Sequence, residues 1–233
     1  VRKVTENPTE RGVLRPAEVA ALIAAPEVDP RIRVAVLLGA LAGLRRGEIR
    51  GLRWGDIDEG IINIRNNRPD DLADKAPKWG SSRVVALPGA LADALEVLRA
   101  LSPRTAPGGY VVYSAARFAE PLSGHAIDTG FARMLHGIGI EDDTNAKVEK
   151  RTPKDGSRQA RALVFHSLRH TYVTIARAGG LSDATVMAMA GHRSAEMMAR
   201  YSHVGTVIDF QAARAAMEKA VAPKAEMATG GAI

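Results

Sequence analysis

The stretch PRIRVAVLLGALAGLRRGEIRGLRW, residues 30–54, decides the fold class. Pro30 has the fixed φ that suits a first helical turn and lacks only an N–H that would be unpaired there. Val34, Val36, Leu37, Leu38 and Leu41 follow as a dense apolar run that stops at Gly43, a residue suited to ending a helix. The run predicts a buried helix, and a short third helix is expected from about Arg46 to Trp54.

Working outward, Arg15-Pro16-Ala17-Glu18 followed by Val19, Leu22 and Ile23 predicts an earlier helix with proline in its first turn, preceded by a polar segment, 1–13, without periodicity. On the other side the pattern changes at Gly60. Ile61, Ile62 and Ile64, and later Val84, Val85 and Leu87, predict strands flanking a polar segment rich in Pro, Asp and Lys, a long-looped hairpin. A helix is expected from Pro88 to about Leu101, a short strand from Tyr110 to Tyr113, and a helix from Ser123 to about Gly137. Residues 139–162 have mixed charge and almost no apolar side chains, which predicts an exposed loop. Helices follow near 167–179, 183–190 after Ser182, 194–201 and 205–221, with Met187, Met189, Met197 and Met198 at spacings of packed helix contacts. The Ala- and Gly-rich end, 222–233, reads as a tail. The expected fold is mainly α with a small antiparallel β-sheet.

Composition narrows the chemistry. The chain has no cysteine, which excludes disulfides, thiolate nucleophiles and Cys-ligated zinc. No apolar run approaches the roughly 18 residues of a membrane span, and the N-terminus lacks the pattern of a signal peptide, so the cytoplasm is the expected compartment and no membrane partner is expected. Thirty-two Lys plus Arg against 26 Asp plus Glu, a net charge of +6, favour a polyanionic partner without naming it. Val1 stands where a native start would supply Met, so the chain is expected to be cut from a longer one.

Three separated segments carry the functional signal. They are Ala42-Gly43-Leu44-Arg45-Arg46-Gly47-Glu48-Ile49, His166-Ser167-Leu168-Arg169-His170, and Gly191-His192 with Tyr201 nine residues on. As a set, in this order and spacing, they closely resemble the Gly-Leu-Arg-x-x-Glu box, the His-x-x-Arg-His box and the Gly-His…Tyr element of the tyrosine recombinase (phage integrase) family. The resemblance covers the catalytic domain of that fold, residues 14–221 here. It implies that residues 1–13 are a linker from a missing N-terminal DNA-binding domain and that 222–233 are a flexible C-terminal tail.

The residue types suit the implied reaction. Charge builds on the non-bridging oxygens of a phosphodiester under attack, and planar, permanently charged guanidinium groups stabilise it better than lysines, which assigns Arg45 and Arg169 as clamps. Tyr201 is the expected nucleophile, since a phenol can form a phosphate ester and later leave from it. The resemblance implies a 3′-phosphotyrosine, a released 5′ hydroxyl and no need for ATP. His166 and His192 can move protons or donate to a phosphate near neutral pH and fall on matching family positions. His170, one helical turn beyond His166, belongs to the same box or braces the fold. Glu48 lies on the helical face of Arg45, where it could hold a guanidinium or a neighbouring histidine in place, while Arg46 is expected to meet only solvent or a helix carboxylate.

By resemblance Lys78, in Pro77-Lys78-Trp79-Gly80-Ser81-Ser82-Arg83, is the hairpin lysine that protonates the departing 5′ oxygen; Trp79 departs from the usual threonine, and Lys75 is close enough to compete. A zinc pair at His166 and His170 lacks the following Glu and a third ligand, so no metal and no cofactor is expected. The resemblance also implies double-stranded DNA as partner, assembly on it into a multimer, with a tetramer expected, and action at the host nucleoid. The last helix, with Val207, Ile208, Phe210, Ala213 and Met217, either packs at home or docks on a neighbouring subunit. Two other functions fit parts of the pattern: a type IB topoisomerase, which shares the chemistry without partner exchange, and a non-catalytic DNA-binding module, which has no use for the full set.

Overall fold

A computed structural model of the chain describes residues 12–26, 28–69, 82–140, 163–191 and 209–222. Its elements are α1 (Pro16–Ala24), α2 (Pro30–Ala42), α3 (Arg46–Gly51), β1 (Ile57–Asp58), β2 (Ile61–Ile64), β3 (Arg83–Ala86), α4 (Gly89–Leu101), α5 (Gly124–Gly137), α6 (Ser167–Ala178), α7 (Asp183–Ala190) and α8 (Phe210–Val221). The fold is mainly helical with one small antiparallel sheet, as the periodicity predicts.

Helix α2 is the axis of the core. From Val34 to Ala42 it is apolar on all sides and therefore sits inside, packed against α4, α5 and α6. Asp29 starts it by accepting a hydrogen bond from the Arg31 N–H at 2.9 Å, next to Pro30. Gly43 ends it with a left-handed φ of 68°, and the Leu44 N–H then donates to the Leu38 carbonyl at 3.1 Å. Glycine is required here twice over, because a Cβ would also lie 2.5 Å from the Tyr172 ring on α6.

The sheet runs β1-β2-β3, with Ile62 opposite both Ile57 and Val85, and Ile64 opposite Arg83. Ile62 and Ile64 face the core while Ile61 and Asn63 are half-buried, the alternation that pleating imposes. Three strands stand where the sequence predicts a two-stranded hairpin. β1 spans only two residues, too few to show a period.

Two other expectations are corrected. Helix α3 stops at Gly51 instead of Trp54, and a 3₁₀ turn covers Trp54–Asp56. The cause is tertiary: the Trp54 and Gly55 N–H groups donate to the carbonyls of Gly109 and Pro107, at 3.0 and 2.9 Å. Residues 110–113 make only isolated bridges, Arg53 with Tyr110 and Tyr113 with Pro121. Val111 and Val112 are both fully buried, so this segment threads the core and does not alternate across a sheet.

Helix α8 begins at Phe210, capped by the Asp209 carboxylate on the Ala212 N–H at 2.9 Å, and packs at home against α6, α1 and β3. Val207 and Ile208, the expected 194–201 helix with Met197 and Met198, the hairpin tip, and nearly all of the 139–162 loop, the 1–13 segment and the 222–233 tail lie outside the described residues. Near the start of the described chain, the Leu14 N–H donates to the buried Thr171 hydroxyl on α6 at 3.0 Å. No helix among the described residues is long and apolar enough to cross a membrane.

Candidate active site

The sharp exit from α2 places Arg45. After Gly43 reverses the chain, Leu44 is buried and Arg45 takes an extended conformation (φ −75°, ψ 152°) ahead of α3. Glu48, in the first turn of α3, reaches back to the Arg45 N–H at 2.8 Å and also accepts from Arg45 Nη1 at 2.9 Å. One carboxylate thus holds both the backbone and the head group of Arg45.

Glu48 has a second partner that the sequence reading did not assign. Arg83, the first residue of β3, forks onto it: Nη1 to Oε1 at 2.8 Å and Nη2 to Oε2 at 2.7 Å. Burial alone would raise the Glu48 pKa; the hydrogen bonds and charge of Arg83, then the backbone and charge of Arg45, outweigh it and hold the carboxyl at about 2. Glu48 is therefore an anion in the folded chain.

Arg169 projects from the first turns of α6 and is buried. Its Nη1 donates to the Gly43 carbonyl at 2.7 Å and its Nη2 to the Ala190 carbonyl. Among the described residues its Nε has no partner. Burial, then the charges of Arg45 and Arg83, push its pKa well below the usual arginine value. The three residues are far apart in sequence.

The C-terminal end of α7 is where they meet. Arg83 Nε donates to the Met189 carbonyl at 2.7 Å, Arg169 to Ala190, and Arg45 Nη2 to Gly191 at 3.3 Å. Helix carbonyls left unpaired at a C-terminus carry partial negative charge and attract cations. Gly191 closes α7 with φ 64°, and a Cβ there would sit 3.0 Å from Arg83 Cδ. The residue that follows this node is His192.

His166 is exposed at the head of α6, and its ring meets that of His170 edge-on at 5.1 Å. It borders a cleft of about 450 Å³ shared with Leu44, Arg46, Asp128 and Phe131, so it opens beside the segment that carries Arg45. On the same cleft Arg46 is engaged in an ion pair with Asp128 of α5. Met189 is buried in the core and Met187 partly so. Among the described residues no group of three or more His, Asp or Glu could hold a metal ion.

The structure therefore brings together Arg45, Glu48 and Arg169, with His166 and His170 on the same helix as Arg169. Lys78, its competitor Lys75, His192 and Tyr201 lie outside the described residues. Arg83 closes the 77–83 stretch that carries the hairpin resemblance but was given no role, although a signal was available: it shares a strand face with Val85 and Leu87, and a charge at an inward position needs a buried partner.

The sequence pattern of the phage integrase family matches residues 12–206. The XerC-like tyrosine recombinase of Caldanaerobacter subterraneus subsp. tengcongensis is 27% identical over 190 residues, covering 75% of this chain and 46% of the relative. The chain thus spans about half the length of that curated relative. Among solved structures, XerA recombinase aligns with a TM-score of 0.59 at 23% identity, over 93% of this chain and 68% of that one. A lambda integrase tetramer bound to a Holliday junction aligns at 0.57 and 20% identity, over 83% and 50%. At these identities the structural likeness speaks to the fold.

Proposed function

The chain belongs to the phage integrase family, and from that premise we propose that it is the catalytic domain of a site-specific DNA recombinase that cuts and rejoins strands through a phosphotyrosine. The observation that carries this reading is the cationic cluster: three guanidinium groups, Arg45, Arg83 and Arg169, donate to the last carbonyls of α7, and the two from Arg45 and Arg83 share a single carboxylate, Glu48. Such a site has surplus positive charge and is relieved by an anion. A phosphodiester whose oxygens gain charge during attack fits that demand.

In this reading the Tyr201 oxygen attacks phosphorus, forming the P–O(Tyr) bond and breaking the bond to the 5′ oxygen. The phenolic proton passes to a nearby base, and His166 and His192 have the roles of shuttling it or donating to phosphoryl oxygens. Lys78 gives a proton to the departing 5′ oxygen. Arg45, half-exposed, contacts the phosphate, and Arg169 stabilises the developing charge from beneath. The ester conserves bond energy, so a 5′ hydroxyl of another strand reverses the step without ATP. Glu48 orients Arg45, and His170 supports α6.

Strand exchange needs more than one active site, and the lambda integrase neighbour, a tetramer on a Holliday junction, supports assembly of this chain into a tetramer on DNA; double-stranded DNA as the partner puts its action at the host nucleoid. The catalytic unit is residues 14–221, with 1–13 as linker and 222–233 as tail. The test is covalent capture from a pool of nicked duplexes randomised on both sides of the nick, followed by denaturing electrophoresis and sequencing. Wild type is expected to trap a defined sequence as a covalent adduct, and Tyr201→Phe none. An adduct that persists in the variant removes Tyr201 from the mechanism; relaxation of supercoils by monomers without joined products moves the chain to the topoisomerase reading.

A further inference from the structure

Arg83 commits three of its N–H groups to two receivers that belong to different parts of the site. Two go to the Glu48 oxygens at 2.8 and 2.7 Å and one to the Met189 carbonyl at 2.7 Å. Its side chain is only 10% exposed, so it is placed to hold other residues and not to receive DNA. We propose that Arg83 is a positioning residue of the strand-cleavage step, a bracket that ties sheet, α3 and α7 together and so fixes the aim of Arg45 and the point from which the chain continues to His192. The inference rests on the reading of this cluster as a phosphoryl-transfer site.

The geometry gives the bracket its leverage. Glu48 accepts four hydrogen bonds, two from Arg83 and two from Arg45. A carboxylate has about four acceptor sites, so this set is complete and the plane of the carboxylate is determined. Arg83 sets that plane, because both of its donors belong to one rigid guanidinium, whereas Arg45 reaches the two oxygens with its backbone N–H and its flexible side chain. Arg45 then takes its orientation from the remaining lone pairs. At its other end Arg83 holds the penultimate carbonyl of α7, and its side chain packs against Gly191. A lysine would keep the charge and lose the fork.

The experiment uses the full chain and the nicked duplex captured from the randomised pool, with single-turnover cleavage followed against DNA concentration. Arg83→Lys is expected to lower the saturating cleavage rate by about a hundredfold, the usual effect of misplacing a reacting group by about an ångström. The DNA concentration for half-maximal rate should stay within about twofold of wild type. Because Arg83 acts partly through Glu48, the double variant Arg83→Lys/Glu48→Gln should lose much less than the product of the two single losses. Near-ultraviolet circular dichroism checks that each variant is folded.

A wild-type rate in Arg83→Lys overturns the inference. So does recovery of the lost rate at saturating DNA, which would make Arg83 a binding residue, and so do single losses that multiply in the double variant, which would make its role general stability. If Arg83→Lys does not fold, Glu48→Gln alone decides: full cleavage rate in that variant removes the bracket from the mechanism. A wild-type chain that traps no duplex overturns the recombinase reading and this one with it, whereas a cleaving wild type beside an unaffected Arg83→Lys overturns this one alone.

Discussion

Arg169 and Arg45 donate to adjacent carbonyl groups, those of Ala190 and Gly191. Arg169 comes from α6 and Arg45 from the α2–α3 junction, so two boxes distant in sequence are brought together at one helix end. The carbonyls fix where the guanidinium groups sit before any substrate arrives, and preorganised charge of this kind stabilises a transition state without further rearrangement.

Replacing Arg45 by lysine keeps a positive charge but loses the simultaneous reach to Glu48 and Gly191. Arg45→Lys is expected to slow single-turnover cleavage by about a hundredfold or more, while electrophoretic titration shows DNA affinity changed by less than about threefold. An equal fall in both would mean that Arg45 acts by ordinary binding.

Glu48 predicts a pH dependence of stability. Its folded pKa, about 2, is depressed from the ordinary 4.5, so its contribution is fully present above 4.5 and is lost as pH falls toward 2. That contribution is on the order of 3 kcal/mol. Urea unfolding from pH 7 to pH 3 should show wild type losing much of its advantage over Glu48→Gln below pH 4.5. A difference that does not change with pH contradicts the assignment.

The cationic cluster predicts anion binding without DNA. Sulfate at ten times its dissociation constant should stabilise the fold by about 1.4 kcal/mol, raising Tm by about 3–5 °C. Sodium chloride at equal ionic strength serves as the control. Arg45→Gln should lose most of the shift, and an undiminished shift would place the anion elsewhere.

Gly43 cannot become alanine without strain. The left-handed φ of 68° and a Cβ 2.5 Å from the Tyr172 ring act together. Gly43→Ala should destabilise the chain by about 2–4 kcal/mol in urea unfolding. A loss below about 1 kcal/mol would mean that α2 and α6 can slide apart there.

Helix α2 was legible because its signals are local: proline at the start, an unbroken apolar run, glycine at the end. The site boxes were legible for a different reason, the order and spacing of Arg45, Glu48, His166 and Arg169 along the chain. Arg83 escaped assignment because its partners are defined only after β3 pairs with β2 and α7 ends beside it. Its inward position on the strand asks for a buried partner but does not say which carboxylate supplies it. β1 and the 110–113 segment escaped because long-range hydrogen bonds, not side-chain period, determine their conformations.

The hydrogen bond from Leu14 to Thr171 also determines how short a working fragment can be. Thr171 lies two positions beyond Arg169, and its hydroxyl already donates to the Ser167 carbonyl at 2.9 Å. Trimming the chain to Arg15 would remove a buried leucine and strip an acceptor of its donor directly behind the box helix. Fusions and truncations should therefore keep Leu14 and its N–H in place.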